Sequence, residues 1–246
     1  MDRIVNLQMS FFGGFHTIKF ETATVIDLLT ALKDDGFVPG SIDISAVDIK
    51  TNKISVDSRL QLLSPDKTWI VRFMPERIDF DYNYHTGTVS YKDINILLDY
   101  GTELVSKVFS TLNTLHGNRL ALNCKYILEN PSEEVSKKLA NSFTVPFAAY
   151  GNEPFAEWTA RFNSRREFKI SKSDSENSNR LVELSLLENQ AKRTDVNFEY
   201  NILLSLDVNT VASNLKARFN PENLIYFSNE AKSFITDVVN EIESKC

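Results

Sequence analysis

The chain has 246 residues, of which 42% are apolar and 24% are charged. This balance is typical of a folded globular protein and excludes a chain that is disordered throughout. The net charge of −6 argues against a nucleic-acid partner, because tight binding to a polyanion needs clustered Lys and Arg. The nearest approach to a basic cluster runs directly into acidic residues and comprises Arg161, Arg165, Arg166, Lys169 and Lys172.

The first half of the chain predicts a strand, a short helix and four further strands. We expect the first strand from Gly14 to Phe20. Apolar residues then recur at helical spacing from Thr24 to Asp35, and Gly36 ends the predicted helix. Turn residues separate the four strands of a predicted meander. These strands are Ile42 to Ile49, Ile54 to Leu63, Trp69 to Met74 and Arg77 to Tyr84.

A long helix follows the meander. Ser90 with Asp93 three residues later has the pattern of a capping box and predicts its start. A sustained apolar stripe then leads to Gly117, the predicted C-terminal stop. Gly101 lies inside this helix, where it predicts a kink or a division.

The second half of the chain predicts a similar order of elements. A strand from Arg119 to Leu128 precedes a helix that Ser132 caps and that ends near Ser142. Asn220 is a good N-cap for a long closing helix, with Pro221 at its first position. Three strands are predicted between these helices, at Phe155 to Ser171, Leu181 to Glu188 and Asn197 to Val208.

Two segments, Ile78 to Asn83 and Val196 to Asn201, resemble each other. Both alternate apolar or aromatic residues with polar ones, carry an acid at the fourth position and end in Asn. Together with the shared order of elements, this echo predicts two copies of one unit, residues 1–117 and 118–246, with an insertion in the polar loop Ser171 to Asn179. Chance is the alternative, since half-buried strands generally favour Phe and Tyr.

The predicted fold class is α+β, with mainly antiparallel sheets and long packing helices in two pseudo-repeated units of strand, helix, strands and helix. The two units can pack as a single globular body. In an alternative arrangement they share one continuous curved sheet, and the strand after each long helix adds to the other unit. Strands in meander order argue against a doubly wound parallel sheet.

The sequence favours a cytoplasmic protein. Polar residues interrupt the apolar runs near the N-terminus, and no stretch approaches the roughly 20 apolar residues of a membrane helix. Only two cysteines occur, too few for a disulfide framework or a four-cysteine zinc site. Cys124 lies in an apolar strand and is predicted to be a core residue rather than a nucleophile.

Familiar catalytic and cofactor motifs are absent from the sequence. It contains no glycine-rich phosphate loop, no serine nucleophile elbow and no closely spaced histidine pair. We therefore expect no cofactor, and the sequence assigns no catalytic residue.

Alternate polar residues of one predicted strand form the first candidate site. They would point to one face and offer oxygen and nitrogen ligands to a metal. The members are Asp79, Asp81, Asn83 and His85. We favour the competing interpretation, in which Phe80 and Tyr82 face the core while this polar set faces water.

An acidic-x-Lys pattern, as found on strands of metal-dependent nucleases, forms the second candidate. Glu167 and Lys169 have this spacing, and so do Asp48 and Lys50. The same pattern occurs twice in the predicted closing helix, where it cannot be that motif, so chance accounts for these matches.

A Trp-bearing strand, a hairpin, a long helix and an apolar strand with a basic-Tyr pair follow one another in the middle of the chain. Their residues are Thr68-Trp69-Ile70-Val71, Pro75-Glu76-Arg77-Ile78 and Arg119-Leu120-Ala121-Leu122-Asn123-Cys124-Lys125-Tyr126. This pattern and the placement of the closing helix resemble a sporadically distributed family of bacterial proteins of about this length. The resemblance implies a bacterial protein but no activity, since that family brings no established biochemistry with it.

Two classes of function remain. The first is a soluble, non-catalytic protein-interaction or assembly module, which binds a protein partner or a second copy of itself. Acidity and an aromatic content of 11% fit this class. A homodimer is expected from the apolar stripes of the two long helices, although such stripes also pack on their own sheets.

The second class is a carboxylate- and metal-dependent hydrolase, for example a nuclease. Its first candidates are Asp79 and Asp81, and its second are Glu167 and Lys169. Only the residue types support this alternative.

Overall fold

The computed structural model describes residues 1–16, 18, 21–48, 53–112, 115–144, 157–188 and 200–246. Within these residues the chain forms one open antiparallel sheet of nine strands, together with four α-helices. The predicted α+β class is confirmed. The expectation of separate sheets is corrected, because the alternative of one continuous sheet is the arrangement found.

The strands are β1 (Arg3–Phe12), β2 (Val38–Asp48), β3 (Lys53–Leu63), β4 (Trp69–Met74), β5 (Arg77–Asn83), β6 (Arg119–Glu129), β7 (Trp158–Lys169), β8 (Ser175–Glu188) and β9 (Tyr200–Thr210). The helices are α1 (Thr22–Ala31), α2 (Ile94–Thr111), α3 (Glu133–Phe143) and α4 (Pro221–Glu243). A short 3₁₀ helix at Lys33–Asp35 follows α1, and Gly36 ends it with a φ of 68°. Among the described residues, no helix has both the length and the apolar composition needed to cross a membrane.

The order of strands in the sheet is β2-β3-β4-β5-β1-β6-β9-β8-β7. The central strands β1 and β6 are antiparallel neighbours, so the sheet continues without a break across the predicted boundary after residue 117. Strands β2 and β7 form its two edges.

The helices cover one face of the sheet. Alternate residues of every inner strand, for example Met9 of β1, Phe80 of β5 and Leu122 of β6, enter the core on this face. Phe227 of α4 packs edge-on against Phe168 of β7 with ring centroids 6.0 Å apart. The apolar residues of both long helices lie in the same core, so burial of the helix stripes drives the fold.

Gly101 allows α2 to approach the sheet closely. A Cβ atom at this position would lie 2.9 Å from Met9 Sδ and 3.1 Å from the Trp69 ring. The helix runs through Gly101 without interruption, so the predicted division of the helix is wrong.

Several predicted boundaries are wrong. The first strand is Arg3–Phe12 instead of Gly14 to Phe20, whose described residues are not in a strand. The predicted polar loop Ser171 to Asn179 is largely strand, because β8 already begins at Ser175 after a tight turn.

The predicted limits of the long helix are also corrected. Asp93 is the N-cap of α2, and its side chain accepts a hydrogen bond from Asn95 N, so the Ser90 capping box is wrong. The helix ends at Thr111, whereas Gly117 forms a β-bridge with Phe219.

Strands β4 and β6 and the caps of α3 and α4 confirm the sequence-based expectations. Ser132 caps α3, and Asn220 forms a reciprocal capping box with Asn223 at the start of α4. Residues 196–199, which hold most of the second copy of the echo, lie outside the described residues.

Candidate functional site

Two buried carboxylates lie side by side on the sheet face opposite the helices. Asp79 and Asp81 alternate along β5 with side chains that enter the core, and they are only 1% and 2% exposed. The expectation that this polar set faces water is therefore wrong for these two residues. Side chains of the neighbouring strands cover them.

The Asp79 carboxylate is held from two sides. Its Oδ1 accepts a hydrogen bond of 2.6 Å from Ser10 Oγ on β1. Its Oδ2 lies 2.7 Å from Arg77 Nε, two positions earlier on the same strand. Both oxygens thus have a protein donor.

The Asp81 carboxylate has an equivalent arrangement. Gln8 Nε2 on β1 donates to its Oδ1 at 2.7 Å, and Arg72 of β4 forms an ion pair with its Oδ2. Asn123 Nδ2 on β6 donates to Gln8 Oε1 at 3.1 Å, so the network extends over four neighbouring strands. We call Asp79, Asp81, Arg72, Arg77, Ser10 and Gln8 the buried carboxylate cluster.

Burial sets the protonation of this cluster. Desolvation raises the pKa of Asp79 against the opposing effects of Ser10, Arg77 and Arg72. Desolvation also raises the pKa of Asp81 to about 6, Arg72 opposes that shift, and the nearby Asp79 charge adds to it. Asp81 therefore exchanges a proton at mildly acidic pH.

The buried carboxylate cluster is chemically closed. Its two acids face two arginines, and each of the four carboxylate oxygens already accepts from the protein. A metal ion would have to displace an arginine to reach them. In the part of the chain that the structure describes, no group of three or more His, Cys, Asp or Glu side chains is placed to hold a metal.

The other predicted site residues lie elsewhere. Asn83 accepts from Asn6 on β1, and the exposed His85 places its Nε2 3.2 Å from the Lys67 carbonyl oxygen. Glu167 and Lys169 are exposed on β7. This strand is five strands away from β5, which is about 24 Å at the usual strand spacing. The structure thus brings together Asp79 and Asp81 but neither His85 nor the second candidate pair.

Cys124 is fully buried in the core on β6. Desolvation raises the pKa of its thiol, which suppresses the reactive thiolate. Its burial agrees with the predicted core position.

Sequence reasoning missed the partners of the two acids. Gln8 and Ser10 alternate with buried residues of β1, a period of two that marks a strand with one polar face. Arg72 is likewise the polar member of an alternating run in β4. The contacts themselves depend on strand register and are not visible in the sequence.

The two edges of the sheet form a second candidate site. Strand β2 has 11 residues and β7 has 12. Neither strand has a partner on its outer side among the described parts of the chain. All residues of β7 from Arg161 to Glu167 are exposed, so side chains on both of its faces reach solvent.

Charge distinguishes these edges. The sequence of β2 contains Asp43 and Asp48 but no Lys or Arg, and the exposed Asp43 accepts from Ser58 of β3. By contrast, β7 contains most of the basic cluster found in the sequence, and Glu167 is the one acid in this strand. These basic residues are Arg161, Arg165, Arg166 and Lys169. The sheet therefore has an acidic strand at one edge and a basic strand at the other.

Comparisons of the chain with protein-family models, with curated proteins and with solved structures found no match. The resemblance of the segment from Thr68 to Tyr126 to a bacterial family stays a prediction. Function must therefore be argued from the geometry of the molecule itself.

Proposed function

We propose that the protein is a non-catalytic assembly module that associates through the edge strands of its sheet. The opposite charge of two long edge strands, β2 and β7, carries this proposal. Unpaired backbone N–H and C=O groups on such edges are ready to pair with a further strand. A second copy of the chain is the partner that this charge pattern favours.

The placement of the edges defines the kind of assembly. Because β2 and β7 lie at opposite ends of the sheet, β2 of one copy pairs with β7 of the next in a head-to-tail contact. Such a contact leaves one edge free on each copy and generates a ring or an open chain. The apolar stripes of α2 and α4 are buried within the chain, so they support a helix-mediated homodimer less than the sequence suggested.

A carboxylate-dependent hydrolase has less support from the geometry. Asp79 and Asp81 are nearly inaccessible, and their oxygens are engaged by Arg72, Arg77 and two neutral donors. A substrate or metal would have to open this cluster before either acid could act.

We also propose that the two halves of the chain are copies of one unit. Each half supplies a central strand, a helix, an edge strand, strands that return to the centre and a long helix. In this correspondence β1 matches β6, β2 matches β7, α1 matches α3 and α2 matches α4. A duplication explains how one sheet acquired two equivalent edges.

Charge reversal on each edge tests the assembly proposal. Wild type is expected to gain mass with concentration in light scattering at low salt and to lose it at high salt, because salt screens charge attraction between exposed groups. The double variant Arg165→Glu with Arg166→Glu has lost the basic edge, and Asp43→Lys has lost the acidic character of the other edge. Each is expected to be monomeric alone.

A mixture of the two variants provides the decisive measurement. In the mixture, β2 of the arginine variant is complementary to β7 of the Asp43→Lys variant, and the two reversed edges are complementary to each other, so an equimolar mixture should regain the assembly that neither variant shows alone. Lys137→Glu on the exposed surface of α3 is the matched control and should assemble like wild type. A wild type that stays monomeric at low salt, or an equimolar mixture that stays monomeric, would refute the proposal.

A further inference from the structure

A cavity of about 530 Å³ lies on the helix side of the first half of the chain. Its volume is within the range of small-molecule sites. It is lined by the turn between β3 and β4, the segment between β5 and α2, and the first half of α2, together with one residue each from the 3₁₀ helix and β4. The lining residues are Asp35, Ser64, Pro65, Asp66, Thr68, Trp69, Val89, Tyr91, Ile96, Leu97 and Tyr100.

Aromatic rings form much of this lining. Trp69 is 6% exposed, so its indole belongs to the floor of the cavity. The rings of Trp69 and Tyr100 have centroids 5.2 Å apart and are tilted by 58°, and Tyr91 is half-buried on the lining. Aromatic faces at an angle to one another are the surroundings that organic cations prefer.

An ionised acid faces the same cavity. Asp66 Oδ1 accepts from Ser64 Oγ at 2.7 Å, Thr68 Oγ1 at 2.9 Å and Thr68 N at 3.1 Å. Although partial burial opposes them, these hydrogen bonds hold the pKa of Asp66 below its ordinary value. Among the described residues, no Lys or Arg forms an ion pair with Asp66.

The second acid on the lining, Asp35, already has a cation beside it. Asp35 Oδ2 lies 2.8 Å from Lys107 Nζ, and its Oδ1 accepts from the Tyr100 hydroxyl at 3.2 Å. These contacts fix the Tyr100 ring at the cavity wall. Asp66 thus supplies the negative charge that a ligand can match.

Hydrogen bonds also fix the outer rim. His85 Nε2 contacts the Lys67 carbonyl oxygen and joins the segment before α2 to the turn that carries Asp66. The Tyr82 hydroxyl donates to the Val89 carbonyl oxygen at 3.2 Å. The site is therefore held in place by the fold, which reduces the ordering cost of binding.

We propose that this cavity binds an organic ammonium group, with the aromatic rings around its alkyl substituents and Asp66 beside its charge. The shared chemistry has two possible sources, a free small molecule or a lysine side chain of another protein. The ammonium site lies on the helix side of the sheet and does not depend on the proposed assembly.

Choline and its uncharged isostere 3,3-dimethylbutan-1-ol are the first pair of probes. In Trp158→Phe, Trp69 is the only indole, and its fluorescence should change with saturation as choline is added. The isostere should bind about five- to tenfold more weakly, because it lacks the cationic attraction. Equal affinities, or no saturable binding of choline, would overturn the proposal.

Three variants test the individual contacts by isothermal titration of choline into otherwise wild-type protein. Asp66→Asn keeps the acceptor of the turn and should lose about five- to tenfold in affinity, whereas the exposed Asp34→Asn is the charge-matched control and should not. Tyr100→Phe keeps the aromatic wall and should bind, while Tyr100→Ala should bind more weakly. Unchanged affinity in folded Asp66→Asn would refute the role of its charge.

A final comparison separates the two sources of ligand. The probes are Nα-acetyl-lysine amide, its Nε-trimethyl derivative and choline. Tighter binding of either lysine derivative identifies a protein side chain as the ligand, and tighter binding of choline identifies a free small molecule. Failure of all three would contradict the ammonium site without affecting the edge-pairing proposal.

Discussion

At the scale of single residues, the buried carboxylate cluster shows how a polar sheet face can become buried. The alternation of Asp79 and Asp81 with core residues was enough to place them on the same face. Their burial could not be predicted, because it depends on Arg72 from β4 and on Gln8 from β1, which only the strand register brings beside them. Two carboxylates at alternate positions of a strand are thus no evidence of an open site.

The raised pKa of Asp81 predicts a specific dependence of stability on pH. The pKa is about 6 in the folded protein and close to 4 in an unfolded chain. The folded state therefore binds the proton more tightly, and stability from this group is lost as pH rises from about 4 to 6. The difference between these two pKa values corresponds to a loss of stability on the order of 3 kcal/mol.

Asp81→Asn should remove this loss. Denaturant unfolding at pH 4 and at pH 7 gives the free energy of unfolding of each protein at both pH values. The decrease in this free energy from pH 4 to pH 7 should be smaller in Asp81→Asn than in wild type. The exposed Asp34→Asn is the charge-matched control and should keep the wild-type difference. An equal difference in Asp81→Asn and wild type would contradict the raised pKa.

At the scale of elements, turn and capping residues in the sequence predicted where several strands and helices begin and end. The breaks at Ser64-Pro65-Asp66 and Pro75-Glu76 delimited β4 and the hairpin after it, and Asn220 with Pro221 predicted the start of α4. The two sheet edges could not be predicted, because an edge strand is one with a neighbour on only one side, and that depends on the order of all the strands in the sheet. The basic cluster was visible in the sequence, but its position on an edge strand follows only from the topology.

Gly101 provides a prediction about packing between elements. Alanine is favoured over glycine in a helix by about 1 kcal/mol, but its Cβ would lie 2.9 Å from Met9 Sδ and 3.1 Å from Trp69. Overpacking of a core typically costs about 1–3 kcal/mol. We expect Gly101→Ala to lower the free energy of unfolding by about 1 kcal/mol in a urea titration.

Met9→Ala tests whether this steric conflict is the cause. The single variant creates a cavity and is destabilising by itself, but it also removes the sulfur from the path of the new Cβ. In the double variant, Gly101→Ala should therefore cost less than it does alone, which a double-mutant cycle measures. Strictly additive effects would show that the contact with Met9 is not the reason for glycine at this position.

At the scale of the whole molecule, the sheet joins the two halves of the chain more closely than the predicted boundary after residue 117 suggests. Leu7 pairs with Cys124 and Met9 pairs with Leu122 across the centre, and all four side chains are buried. The terminal amine of Met1 also forms an ion pair of 2.6 Å with Glu243 of α4. Unfolding either half alone would expose the central strand of the other, so we expect one cooperative unit even if the halves arose by duplication.

The two tryptophans allow this expectation to be measured, because Trp69 lies in the first half and Trp158 in the second. Trp158→Phe leaves a reporter of the first half, and Trp69→Phe leaves a reporter of the second. In each variant, the fluorescence midpoint in urea should coincide with the midpoint from far-ultraviolet circular dichroism, which monitors the whole chain. Comparing two probes within one variant removes the effect of the substitution itself on stability. If fluorescence and circular dichroism separate in either variant, the halves unfold as independent domains in spite of their shared sheet.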